Sequence, residues 1–325
     1  MSLSAPQAAV RRSTVLPVLR RHGATLALVA LWVALVLATA AKSPAFLSHQ
    51  TVIAVAFNMA FIGVLVVGVS LVMLSGAEFD LSVGVTAVAA ALIAAQLLTD
   101  GASFAVVLVA VLVFGTLIGI VNAVLIVRVR IHPIVATLGT MFLVSGTTRL
   151  FIEFVPIPRD SFLRRHVAGD LFGVPRVFWI MVLLLAAVAF VVGRIRLGRH
   201  VVAVGGNRHA ALVRGLRPDR IQAGALVFCG LVAGLAGLVL ASQGDIVQST
   251  LTPGTEFRVI SILLLGGMAL TGGRGSFVGV AAALLLLNTL PTAIVTWGVS
   301  SSWQPVVEGV VLAVALAVNS VRSTP

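Results

Sequence analysis

The sequence predicts an all-α integral membrane protein of about ten transmembrane helices, some interrupted, with both termini cytoplasmic. Three observations carry that expectation. Of 325 residues, 59% are hydrophobic and only 10% charged, whereas a soluble domain has about a quarter of its residues charged. The apolar residues form long continuous runs rather than the alternating pattern of an outer-membrane barrel. Arginines gather between alternate runs, as membrane topology requires.

The spans follow in order, each needing about 20 apolar residues. The first, Ala24–Ala41, lacks a good small-residue cleavage site and reads as a retained helix rather than a signal peptide. The second, Val52–Leu74, stops at the polar break Ser75–Asp80, and the third, Leu81–Leu98, resumes after it. The fourth, Phe104–Val127, is closed by Arg128 and Arg130. The fifth is Ile134–Phe154. A polar stretch, Val155–Arg176, balances Arg159, Arg164, Arg165 and Arg176 against Asp160 and Asp170, and reads as a small outer surface structure. The sixth span is Val177–Gly193 and the seventh Ile221–Ala241. The eighth, Val259–Leu270, is short, and the ninth and tenth are Phe277–Trp297 and Val306–Val318.

The domains are then a cytoplasmic segment at 1–23, a transmembrane body at 24–320 with an internal loop at 194–220, and a short tail at 321–325. With ten spans, fifteen of the 22 Lys and Arg fall on the side of the termini and five on the other, with Arg149 and Arg258 near outer span ends, which orients both ends toward the cytoplasm. Topology thus explains the net charge of +12 without nucleic acid. The lone Cys229 cannot form an intrachain disulfide.

There is a faint internal echo. "SVGVTAVAAALIA" (Ser82–Ala94) resembles "FVGVAAALLLLNT" (Phe277–Thr289), and each follows a Gly-containing break, "SGAEFDLS" and "LTGGRGSF". Repeated halves with interrupted helices are common in transporters. Asp80, in the first break, fits a cap that accepts from the amides of Ser82 or Val83. The other reading of this carboxylate lines a solute path. The same pair of readings, helix packing or solute pathway, applies to Asn58, Ser82, Asn122, Thr137, Thr140, Ser261 and Asn288. Gly266 and Gly267, expected mid-span, could free backbone carbonyls toward a cavity. No phosphate-binding loop, catalytic constellation or metal-ligand spacing occurs, so no enzyme activity, cofactor or metal is expected in this chain.

The loop Arg199–Gln222 contains a short polar helix, with Asn207 placed as its N-cap and Gly215 at its end. Such a helix is marginal alone, and three roles compete for it: an orientation signal, a lipid-headgroup site, or a docking element for a partner. "GRHVVAVGGNRHAALVRGL" (Gly198–Leu216) resembles the cytoplasmic loop of permease subunits of ribose/xylose/autoinducer-2-type ABC importers. "FDLSVG" (Phe79–Gly84), "NAVLIVRVRIHPIVATLGTMFLVSG" (Asn122–Gly146) and "LLGGMALTGGRGSFVG" (Leu264–Gly279) resemble further segments of that family, in the same order. The chain departs from the pattern at Glu78, at His132 before Pro133, and at Arg208-His209, where acidic residues are common.

The resemblance implies a permease of the bacterial inner membrane that imports a sugar or related polar solute. Its partners would be a cytoplasmic ATPase holding ATP and Mg, a periplasmic solute-binding protein, and a second permease subunit, identical or homologous, within the bilayer. The coupling loop would comprise Gly205, Asn207, Arg208, His209, Ala210, Ala211, Leu212, Arg214 and Gly215. Ala210, Ala211 and Leu212 would form its contact face, and Arg208 and Arg214 would meet acidic groups. The alternatives are a gradient-driven secondary transporter and a branched-chain amino acid ABC permease.

Overall fold

The structure, a computed structural model, describes residues 15–151, 154–158, 161–163, 167, 169–250 and 254–323; at 15–22 and 315–323 it describes the helical backbone alone. Residues 1–14, with Arg11 and Arg12, and the loop residues Arg159, Asp160, Arg164 and Arg165 lie outside the described residues.

The helices are α1 Val15–Lys42, α2 His49–Leu74, α3 Val83–Thr99, α4 Phe104–Ala123, α5 Pro133–Phe151, α6 Arg176–Arg194, α7 Arg196–Gly206, α8 Arg208–Val213, α9 Pro218–Gln243, α10 Thr255–Leu265, α11 Phe277–Thr296 and α12 Gln304–Ser323. Among the described residues, seven helices are long and apolar enough to cross a membrane: α1 from Gly23, α2, α4 with the π turn Val124–Arg128 that extends it, α5, α6, α9 and α11. The chain is therefore a multi-pass, all-α membrane protein. The seven do not include α3, α10 and α12, which occupy the expected third, eighth and tenth spans.

α2, α9 and α11 are mostly buried, while α1, α4, α5 and α6 turn most of their apolar surface outward, as lipid-facing helices do. The core helices approach closely through glycine. A Cβ at Gly115 of α4 would strike the Gly230 carbonyl of α9, and one at Gly230 would strike the Gly115 carbonyl. This reciprocal contact is the small-residue packing that replaces the hydrophobic effect in lipid.

The bundle has two distinct ends. At one, Lys42 Nζ donates to the Trp297 carbonyl (2.9 Å). At the same end β1 (Phe154–Pro156) pairs antiparallel with β4 (Ile246–Gln248), and β2 (Asp170–Leu171) with β3 (Val174–Pro175). The expected outer structure at Val155–Arg176 is thus partly a pair of two-stranded ladders, one closed by a distant strand. At the other end lie the α7–α8 loop and both helix breaks. α1 begins there, beside Gly279, and finishes at the strand end.

The ends of α5 and α10 differ from the sequence expectation. α5 stops at Phe151, and Phe154 has already entered β1. α10 begins at Thr255 and ends at Leu265 instead of running to Leu270. Gly267 adopts φ +90°, its N–H donates to the Leu264 carbonyl (3.0 Å) and the Met268 N–H to the Leu263 carbonyl (2.9 Å). That paired closure is a glycine helix terminus. Gly266 and Gly267 therefore end a helix rather than interrupt one mid-span, and the Gly266 carbonyl packs against Gly279.

Candidate functional site

The α7–α8 loop is built from local capping. Asn207 is extended (φ −158°, ψ 100°), and its Oδ1 accepts from the Ala210 N–H at 2.8 Å. At the far end Gly215 takes φ +80°; its N–H donates to the Leu212 carbonyl (2.9 Å) and the Leu216 N–H to the Ala211 carbonyl (3.0 Å). α8 is thus held at both ends by groups that would otherwise be orphaned.

Its faces differ from the expectation. Ala211 is 4% exposed and packs inward, whereas Leu212 and Val213 are 51% and 78% exposed. The outward face is therefore Ala210, Leu212 and Val213, with His209 and Arg214 also exposed. Arg208, expected to reach outward, is engaged within the chain: it pairs with Asp219 and donates to Gln222 Oε1 (2.7 Å). Gln222 Nε2 in turn donates to the Ser75 carbonyl at the end of α2 (3.2 Å).

The loop is also joined to the body through backbone. α2 ends in a glycine terminus, with Gly76 at φ +77° and N–H bonds from Gly76 to Met73 and from Ala77 to Val72. The Gly273 N–H, in the second break, donates to the Leu74 carbonyl (3.1 Å). A Cβ on Gly205 of α7 would strike that carbonyl and lie 2.7 Å from the Gly273 nitrogen. A Cβ on Gly272 would lie 2.8 Å from the Gly76 Cα. Three segments, the end of α2, the end of α7 and the break before α11, therefore meet at a joint where no side chain fits. The two echoing segments, α3 and α11, both begin just beyond it.

Behind the first break sits a buried polar network. The Ser82 N–H (2.9 Å) and Oγ (2.6 Å) donate to Asp80 Oδ1. Asn122 Nδ2, from α4, donates to both Asp80 oxygens (3.3 and 3.2 Å) and to Ser82 Oγ (2.9 Å). Thr140 Oγ1, from α5, donates to Asn122 Oδ1 (2.7 Å). Asp80, Ser82, Asn122 and Thr140, separated by up to 60 positions in sequence, thus form one hydrogen-bonded set among three helices, as a buried carboxylate demands. Thr137 stands apart, its hydroxyl donating back to the Pro133 carbonyl (3.0 Å).

At the surface of this end, Glu78 takes φ +60° and approaches the His132 imidazole at 3.7 Å. Asn58, Ser261 and Asn288 lie elsewhere, toward the strand end: Asn58 and Ser261 line one hollow, and Asn58 and Asn288 an adjoining one. Sequence reasoning missed Asp219 and Gln222, which lie one turn into α9, and the partners Gly76, Gly272 and Gly273. The polar "RPDRIQ" opening an apolar span was the available signal for the first two; the glycine contacts have none, because small residues packed against small residues look like any glycine-rich stretch.

Comparison with known proteins fits this arrangement. Residues 51–316 match the family model described as branched-chain amino acid transport system / permease component. The ribose import permease protein RbsC of Escherichia coli K12 is 31% identical over 287 residues, covering 86% of this chain and 88% of the relative. The autoinducer 2 import system permease protein LsrC of Escherichia coli O9:H4 is 33% identical over 276 residues, covering 83% and 79%. No solved structure matches the chain. The multi-pass helical body, its broken helices and a match over most of its length make this chain a member of that permease-component family.

Proposed function

We propose that the chain is the membrane subunit of an ATP-binding cassette importer for a sugar or related small polar solute, driven by a separate cytoplasmic ATPase that docks on α8. One observation carries the coupling claim: a helix fixed at both ends offers Leu212 and Val213 outward while α7, leading into it, is wedged by Gly205 against both helix breaks. Displacing α8 then displaces the two interruptions together. The partner supplies the differential contacts that shift the body between outward- and inward-facing states.

The relatives' names favour a sugar-type solute over the branched-chain amino acids of the family description. A periplasmic binding protein would deliver it, and a second permease subunit would complete the membrane core. ATP and Mg belong to the ATPase; this chain carries no catalytic role. α3, α10 and α12 bring the crossings to ten, with the arginine-rich end and both termini facing the cytoplasm of the cell and the body in the inner membrane. The start of α1 at the break end supports this orientation. Asp80, Ser82, Asn122 and Thr140, satisfied by one another, act as a brace for the first break rather than as solute ligands.

Proteoliposomes containing the chain, its partner ATPase and a solute-binding protein are expected to accumulate a labelled monosaccharide only when ATP is supplied. Uptake by the chain alone, driven by a proton or sodium gradient, would contradict the proposal.

A further inference from the structure

Charge at the break end is one-sided. Among the described residues there, the carboxylates are accounted for: Glu78 faces His132, Asp219 pairs with Arg208, and Asp80 is buried in its network. The arginines outnumber them, and two stand where the membrane body meets its cytoplasmic loop. α6, a lipid-facing helix, ends at Arg194, and α7 begins at Arg196. Ile195 between them is extended (φ −92°, ψ 149°). A Cβ at Gly198 would lie 2.2 Å from the Val191 carbonyl oxygen, so the start of α7 folds back hard against the end of α6. Arg199 Nη1 donates to the Arg194 carbonyl (2.8 Å) and holds this elbow.

The elbow carries two chemistries side by side. α7 buries Gly198, Val201 and Val204. On its outside Ile195 is 42% and Leu197 63% exposed, as Leu183 and Phe190 are exposed on α6 before them. Arg194, Arg196 and His200 are exposed as well. Among the described residues, neither the Arg194 nor the Arg196 guanidinium meets a carboxylate. Bare apolar side chains interleaved with unneutralised cations suit the boundary between acyl chains and headgroups. A free phosphate would meet the cations and leave Ile195 and Leu197 in water, whereas a phospholipid satisfies both.

We infer that the α6–α7 elbow binds an anionic phospholipid of the cytoplasmic leaflet, its phosphate against Arg194 and Arg196 and its acyl chains along Leu183, Phe190 and Leu197. A basic cluster beside a membrane span is drawn to the negative surface of that leaflet. α7 then runs from a lipid-held elbow to the Gly205 joint, so the lipid fixes the outer end of the segment that leads into α8. The site requires the break end to face the cytoplasm; it is separate from α8 and from whatever solute is carried.

Photolabelling of the full-length chain within its assembled transporter, in phosphatidylcholine nanodiscs, tests it. With a photoactivatable phosphatidylglycerol added, peptides spanning 190–200 are expected to carry severalfold more label than with a photoactivatable phosphatidylcholine. Arg194→Gln combined with Arg196→Gln should bring the phosphatidylglycerol label down to the phosphatidylcholine level, and the paired Lys variants should keep most of it. Arg217→Gln combined with Arg220→Gln removes the same charge at the start of α9 and should leave the label unchanged. Equal labelling by the two lipids, or an equal loss in the α9 variant, would overturn the inference. So would labelling that appears only once the ATPase is stripped away, because the elbow would then be an ATPase surface. All four arginines are exposed, so the substitutions leave the packing of the chain intact. ATP-driven monosaccharide uptake by the unsubstituted transporter, measured in parallel, reports on the importer assignment separately.

Discussion

Gly205→Val is expected to cut transport sharply while the protein still reaches the membrane. The added side chain meets backbone on two sides, the Leu74 carbonyl and the Gly273 nitrogen, and backbone cannot move aside by changing rotamer. Overpacking of this kind costs about 1–3 kcal/mol. Here the strain falls on the joint between α7 and the two breaks, not on the core. Each 1.4 kcal/mol shifts a two-state equilibrium tenfold, so solute uptake per inserted molecule should fall roughly ten- to a hundredfold. Gly224→Ala is the matched control, because a Cβ there meets nothing within 4 Å. Uptake by Gly205→Val equal to that of the control would show that the joint transmits nothing.

The second large effect separates docking from folding. Val213 is 78% exposed and Ala211 only 4%. Val213→Asp leaves the chain's own packing untouched but sets a charge on the face offered to the ATPase, where it must be desolvated without a partner. Uptake should drop at least tenfold at unchanged abundance, with the loss appearing in ATPase binding. Ala211→Arg should do the reverse, lowering abundance first, because a long charged side chain has no space on the inner face of α8. Equal abundance losses for both would mean that the outward face of α8 is structural.

Much of this was legible in the sequence, and the reasons are physical. Long apolar runs define spans because lipid leaves the backbone no other partner, and the boundaries of α2, α4, α9 and α11 lie within a few residues of those runs. Asn207 and Gly215 were readable because caps act locally: the acceptor and the positive φ lie within a turn of what they satisfy. Contacts made across the fold were not readable. β1 and β4 are three residues each and about ninety positions apart, too short for any periodicity. Arg208 looked free because its partners, Asp219 and Gln222, sit beyond a turn whose course the sequence does not specify. Arg258 and Glu308, fifty positions apart, face each other across α10 and α12. The Asp80 network was visible only as separate polar residues; their meeting required the packing of α3, α4 and α5.

The central claim is that an ATPase works the membrane body through α8. Its most direct test is a short thiol cross-linker on Val213→Cys in the assembled transporter, with Gln248→Cys on β4, at the opposite end, as the comparison. The account predicts a cross-link from position 213 to the ATP-hydrolysing subunit, changing in yield when nucleotide is added, and none from position 248. Failure of position 213 to capture that subunit, or capture from both ends alike, would contradict it.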